Sequence, residues 1–593
     1  MRYLIGFFAT LGVLLVVLVT GIGSGLYWFA GSLSKLPDLP EAVILKIRIA
    51  GPLVEVSDTS PLASLIPGRS RISLLDLVTT IDAAASDAQV KGMVMDLSGA
   101  EIGLANAQEL RAAVLGFRAA RKFAHAFTDT FEGQRASAPY YLATAFESVS
   151  LQPSGLLDLR GLSITTPLLG RFLQEQGVHA EIHARHEFKG AAVPLTEESL
   201  PQAVRANHKR AITSMFDQLV AGIATGRDLS PSAVRTMINS APLVAREAKR
   251  NNLIDKLAYW DEVKSMVLTA SSGASFVTLR RYADARAEKE DEEAEDEQPR
   301  IAIISADGEL IRGGGRSFWD KDKVAAKKLI ASIQEARKDK LVKAILLRVN
   351  SPGGSYVASD SILRALEQAR SNGLPVVVSM SNVAASGGYF ISLAADHVVA
   401  QPATITGSIG VLGGKISFGD LLSRHGAESA EVKVGANASM YSPLKPFSDA
   451  QRERLSDILD EIYQDFTTKV ADRRRLSPAE LDAAARGRIW TGEDAYRLGL
   501  VDVLGGFEEA ILLARQSAGL EGDQPTTLKV FPRRRNPLDQ VLNSISKGDF
   551  LALLDGIGDL IRLIGYAKRI VQELPRVDVS YGVLMRAPDV TIE

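Results

Sequence analysis

The chain has 593 residues, 46% of them apolar, and its 68 lysines and arginines nearly balance 70 aspartates and glutamates for a net charge of −2. That length exceeds one ordinary domain, and that balance excludes a general nucleic-acid-binding footprint. There is no cysteine, which excludes disulfides, thiolate nucleophiles and Cys-based metal sites.

In chain order, the first element is apolar. No charged residue separates Arg2 from Lys35, and "YLIGFFATLGVLLVVLVTGIGSGLYWF" is long enough to span a bilayer as a helix. The segment "WFAGS" is a poor cleavage match, so residues 1–40 are predicted to be a retained signal-anchor. Arg2 and the amino terminus favour an N-inside orientation, with the rest of the chain outside the cytoplasm.

After the anchor the chain repeats itself. The stretch "AVILKIRIAGPL" has a counterpart in "RIAIISADGELI", and "VKGMVMDLSG" one in "VKAILLRVNSPGG"; an amphipathic helix follows the second pair in both halves. Further on "YYLATAFESVSLQPSG" matches "YFISLAADHVVAQPAT", and "DLSPSAVRTMINSAPLVAREAKRNNLIDKL" matches "RLSPAELDAAARGRIWTGEDAYRLGLVDVL". Strands alternating with helices predict an α/β fold with parallel strands in each copy. The acidic, aromatic-free run at 284–299 is predicted to be an exposed linker between a first half, 41–283, and a second, 300–520. Residues 521–593 form a C-terminal extension. Within it, 549–573 read as an amphipathic helix that docks on the protein or on a bilayer surface, and the tail to Glu593 carries no readable signal.

One serine stands out for its company. In "SNVAASGGYFIS" Ser386 lies between two alanines and two glycines, small neighbours that let backbone approach closely. A nucleophilic serine needs a base to take its proton, yet no G-x-S-x-G elbow and no obvious histidine partner accompanies it.

The second half carries "RVNSPGG", "AASGGYFIS", "TGSIGV" and "GRIWTGEDAYRLGLVDVLGG" in that order. Together these resemble the signal peptide peptidase A (protease IV) family, in its long form with two fused homologous halves. The resemblance covers roughly residues 40–520 and is most specific over 348–506. It implies a tandem crotonase-like or Clp-protease-like ββα-superhelical fold and a membrane-anchored serine endopeptidase with a serine–lysine dyad, without metal or cofactor. It further implies a homotetramer on the periplasmic side of a bacterial inner membrane, acting on signal peptides and other short apolar peptides.

Carried onto this chain, the resemblance makes Ser386 the nucleophile. The lysine that serves as base comes from the first half, five residues before a proline: "HEFKGAAVPL" supplies Lys189 before Pro194. The match departs from the family pattern where Gly190 follows the lysine and Val193 replaces an acidic residue. Ser408 in "TGSIG" is the hydroxyl implied to orient the lysine. Gly353 and Gly354 of "SPGG", with Gly387, are the candidate backbone donors for an oxyanion. At the repeat-equivalent positions stand Ala438, five before Pro443, Ser137 for Ser386 and Leu159 for Ser408, so one competent dyad per chain is expected.

Other features have plainer readings. His179, His183 and His186 alternate with apolar residues, which predicts exposed positions on a strand, not a zinc site. The basic clusters "PRRRNP" and "DRRR" are predicted to be solvated faces, and Trp490 and Asp494 to serve packing and helix capping. Two rival functions fit the same halves: an acyl-CoA-binding crotonase-like enzyme, and a catalytically idle binding or scaffold protein at the membrane.

Overall fold

The computed structural model describes residues 38–56, 72–133, 136–271, 273–293, 298–313, 323–520, 522, 524–532 and 582–586. The expected anchor helix and the expected helix at 549–573 lie outside them. Among the described residues no helix is long and apolar enough to cross a membrane.

The protein is a mixed α/β structure built on two parallel sheets of matching topology. The first places its strands in the order 256–257, 148–151, 123–128, 90–96, 43–48 and 275–278, all parallel. The second repeats it with 503–504, 397–400, 376–385, 342–351, 300–307 and 527–531. It adds 405–407 beside the long strand Val376–Ala385, with 489–491 antiparallel at that edge. Four helices begin 247 residues after their first-half counterparts: 202 and 449, 231 and 478, 245 and 492, 260 and 507. The paired "LSP" motifs are helix starts in both halves. Ser230 and Ser477 accept a hydrogen bond from the third helical N–H, and Pro231 and Pro478 take the first helical position, where the lost N–H has no intrahelical partner anyway.

Side-chain alternation along the second sheet divides the core. Ile301, Ile303, Ala344, Leu346 and Val377 face a cluster shared with the first half, including Leu110 and Phe117 of its helix 104–119. Ala302, Ile304, Ile345, Leu347 and Val378 face a second cluster with Ile362, Leu366 and Phe466. A period of two sends neighbours to opposite faces, so this sheet is buried on both sides and its strands read as continuous apolar runs. Arg348 is on the face toward the first half and is fully buried. Its guanidinium donates to Glu55 (2.9 Å), Glu109 (2.8 Å) and Ser379 (2.7 Å). This ion triad ties the halves together.

A third, mixed sheet orders strands 323–325, 309–311, 353–355, 582–586, 412–417 and 179–184. Among the described residues it is the one sheet with strands from both halves: His179–Ala184 runs antiparallel to Leu412–Ser417 over six paired positions. The acidic run at 284–299 differs from the expected linker in one respect. The helix Leu279–Glu293 extends into it, since glutamate, alanine, lysine and arginine are good helix formers whatever their charge.

Candidate active site

Ser386 follows directly on strand Val376–Ala385 and caps the short helix Gly387–Ser392. Its backbone sits at φ 54°, ψ −114°, outside the regions an L-residue ordinarily adopts. The turn is held from both sides: the Ser386 N–H donates to Gly407 O (2.8 Å), and its carbonyl accepts from Phe390 N (2.8 Å). Its first-half counterpart differs. Ser137 lies within the helix Ser137–Ala143, after an ordinary helical Ala136. With Pro139 where Ser386 has Gly388, the first half has no such sharp turn.

Lys189 arrives from the other half. The inter-half strand pair carries the chain from Ala184 to the turn at Lys189, which a 3₁₀ turn at Gly190–Ala192 and a helical turn at Val193–Thr196 then close. Its stem lies against glycine: a Cβ on Gly487 would stand 2.6 Å from Lys189 N and one on Gly410 3.2 Å from its Cδ. The amine is within hydrogen-bonding distance of Ser386 Oγ (2.8 Å), Ser408 O (2.8 Å) and Ser408 Oγ (2.9 Å). Ser408, also at positive φ (49°), is pinned by its N–H donating to Arg488 O (2.6 Å). Lys189, Ser386 and Ser408 are all buried, with exposures of 3%, 0% and 0%.

Burial alone pushes the Lys189 amine well below the ordinary lysine range; no carboxylate acts on it in the opposite direction. A neutral amine has two N–H donors and one lone pair. Those match the three contacts: donation to both Ser408 oxygens, and acceptance from the Ser386 hydroxyl. At its ordinary pKa of about 10.4 a lysine is neutral to only roughly one part in 2,500 at pH 7, so the dry surroundings decide whether it can act as a base.

The three candidate oxyanion glycines meet at one corner. A Cβ on Gly387 would be 3.1 Å from Gly353 Cα and 3.2 Å from Gly354 N. Gly354 has φ 146°, and a Cβ there would come within 2.2 Å of Leu310 O, so no side chain fits. The Gly353 N–H already donates to Ser351 Oγ (3.2 Å), which leaves Gly354 and Gly387 as the amides to consider. The "SPGG" run also differs from a bare strand-to-helix turn. It forms its own short strand, and Ser355 then caps helix 356–371 by accepting from Ala358 N (3.4 Å).

The remaining sequence candidates lie elsewhere. His179 and His183 are on strand 179–184 but half-buried, His179 hydrogen-bonds Asp420 (2.8 Å), and exposed His186, beyond the end of the strand, packs at a tilt against Tyr463. Trp490 is buried, with its indole N–H donating to Ala484 O, and Asp494 pairs with Arg210.

The model of peptidase family S49 matches residues 127–271 and 368–521, spanning Lys189, Ser386 and Ser408. The chain belongs to this family. Protease 4 of Salmonella typhi is 32% identical over 475 residues, 77% of this chain and 75% of its own. Protease 4 of Haemophilus influenzae is 30% identical over 75% of this chain and 73% of its own. The chloroplastic serine protease SPPA of Arabidopsis thaliana is 28% identical over 80% and 70%. This S49 peptidase is accordingly a serine protease.

Proposed function

We propose that this protease cleaves peptide bonds with a Ser386–Lys189 dyad assembled from both halves. The observation that carries the reading is the 2.8 Å contact between Lys189 Nζ and Ser386 Oγ, made by an amine that burial pushes well below the ordinary lysine range. In acylation Lys189 takes the hydroxyl proton as Ser386 Oγ attacks the scissile carbonyl, and Ser408 keeps the amine aimed. The tetrahedral oxyanion forms against the amides of Gly354 and Gly387, beside Gly353, where preorganised donors act most strongly in dry surroundings. The lysine ammonium then protonates the departing amine, and a water activated by the neutral lysine releases the acyl-enzyme.

The substrates in this reading are cleaved signal peptides and other short apolar chains, met at a bacterial cytoplasmic membrane. The apolar segment at residues 3–34 would anchor the protein there with both halves on the periplasmic side. Copies assemble, as a tetramer, around an enclosed site. The deciding experiment is fluorophosphonate labelling of the purified protein. Label on Ser386 that disappears in Ser386→Ala and weakens in Lys189→Ala supports the dyad; equal labelling of Lys189→Ala counts against the lysine.

A further inference from the structure

Strand Val376–Ala385 is irregular just ahead of the nucleophile. Val349 pairs with Met380 and Ser351 with Ala384, so Ser381, Asn382 and Val383 stand opposite Asn350 alone. A bulge of this kind bends a strand and re-aims the side chains beyond it, and Ser386 follows at once. The bulge also sets its polar groups against the first half. Ser381 Oγ lies 2.5 Å from Glu55 Oε1 and 2.8 Å from Asn106 Oδ1, all three residues being buried. Asn382 Oδ1 accepts from the N–H of Asn106 (3.3 Å), in the first turn of helix Leu104–Ala119. That is the bond a helix's own N-cap side chain ordinarily makes. The N-cap here is Gly103, which has no side chain to make it, and a Cβ on Gly103 would stand 2.1 Å from Asn382 Oδ1. A first-half helix is thus capped by the second half.

We infer that Asn382 is a positioning residue for Ser386: by capping the first-half helix it fixes the bulge, and with it the nucleophile's aim at Lys189. The inference rests on the dyad reading for the role of Ser386. A dyad split between halves needs both members held in one frame, since a misplacement of about 1 Å can cost about 10²-fold in rate. Lys189 reaches the site on the pairing of strands 179–184 and 412–417. The cap is a separate tie, on the nucleophile's own strand. Within the second half, Val383 N–H donates to Asn350 Oδ1 (3.3 Å) and Thr404 Oγ1 to Ser381 O (2.6 Å). Those bonds fix the shape of the bulge but not its place relative to the first half. Ser381 shares the placing task, but its partner Glu55 is also committed to Arg348. Asn382 can be changed without stripping a buried charge.

The test separates aiming from capping. Asn382→Ala should lower kcat about tenfold or more with KM little changed, and should also lower the melting temperature. Asn382→Asp, whose carboxylate accepts the same N–H and suits a helix N-terminus, should keep kcat within about threefold of wild type. Adding Gly103→Ser to Asn382→Ala gives the helix a cap of its own. Gly103 already has the extended backbone of an N-cap, and the three atoms nearest a Cβ there belong to the removed side chain. This double variant should melt like wild type yet keep the low kcat. Recovery of kcat along with melting, or a wild-type kcat in Asn382→Ala, would overturn the inference. A second reading needs no catalysis: the Ser386 and Phe390 amides, which hold the nucleophile's turn, should exchange hydrogen several-fold faster in the double variant than in wild type. Equal exchange would overturn the inference whatever the chemistry. Ser386→Ala and Lys189→Ala, assayed alongside, report on the dyad itself and keep the two failures apart.

Discussion

Lys189 and Ser386 stand 197 positions apart in the chain, yet their side chains meet at 2.8 Å with no carboxylate between them. Removing either should remove turnover. Lys189→Ala is expected to lower kcat by about 10²–10⁴-fold, the usual worth of a general base, and Ser386→Ala to leave no measurable activity. Ser137→Ala, with its helical backbone, should stay near wild type. Steady-state kinetics on a fluorogenic peptide, with circular dichroism to show folding, separates these outcomes. A folded Lys189→Ala with wild-type kcat would remove the lysine from the mechanism.

Because Lys189 must be neutral to accept a proton, kcat/KM should rise with pH through an apparent pKa well below that of free lysine. Lys189→Ala should lose that limb. A flat profile with chemistry rate-limiting argues for another base.

The same depressed pKa predicts a stability trend. Between the folded and the unfolded pKa the native state has released a proton that the unfolded chain keeps, so stability rises with pH in that window. The burden of burying Lys189 is greatest below its folded pKa and vanishes above the unfolded one. Lys189→Met should therefore melt higher than wild type in mild acid, by a margin that shrinks as pH rises from the depressed folded pKa toward the ordinary lysine value of about 10.4. A margin that grew with pH would contradict a buried, unpaired lysine.

Arg348→Met should be far more damaging than its distance from the dyad suggests. It leaves Glu55 and Glu109 buried without their cation, and Glu109 already has its carboxyl pushed up by burial. Breaking such a pair costs about 3–5 kcal/mol. Adding Glu55→Gln and Glu109→Gln should recover most of that loss, because the buried charges go together. Thermal melting of the single and triple variants measures it; equal loss in both would point to packing.

Gly487→Ala should act on the lysine, at the cost of some strain in its own backbone, which holds φ 82°. Its new Cβ would strike Lys189 backbone within 2.8 Å, displacing the amine from Ser386. A fall in kcat of about tenfold or more is expected with little change in KM. Unchanged kcat would show that the turn at Lys189 tolerates the shift.

Much of this was readable from residues alone. The duplication and the α/β alternation follow from apolar periodicity and from the matched stretches of the two halves, and Ser386 stands out by its small neighbours, all local signals. Lys189 was visible through family resemblance only, because nothing within "HEFKGAAVPL" records that a strand pairing will carry it to the other half. The Glu55–Arg348–Glu109 triad is hidden for the same reason: its members come from three segments far apart in sequence. Occupation of the Gly353 amide by Ser351 depends on a turn angle, not on composition. The tail at 582–586 carried no readable signal because "GVLMR" has no partner nearby in sequence. Its strand form depends on two edges supplied by residues 353–355 and 412–414.

Dividing the dyad between halves also sets the order of events in synthesis. On the dyad reading, a nascent chain that has emerged only as far as the acidic stretch carries its lysine without a nucleophile. It can cut neither itself nor its neighbours while it is still attached to the ribosome. Cutting power arrives late, after strand 412–417 has been made and has found strand 179–184. Products that end before Ser386 are then harmless by construction.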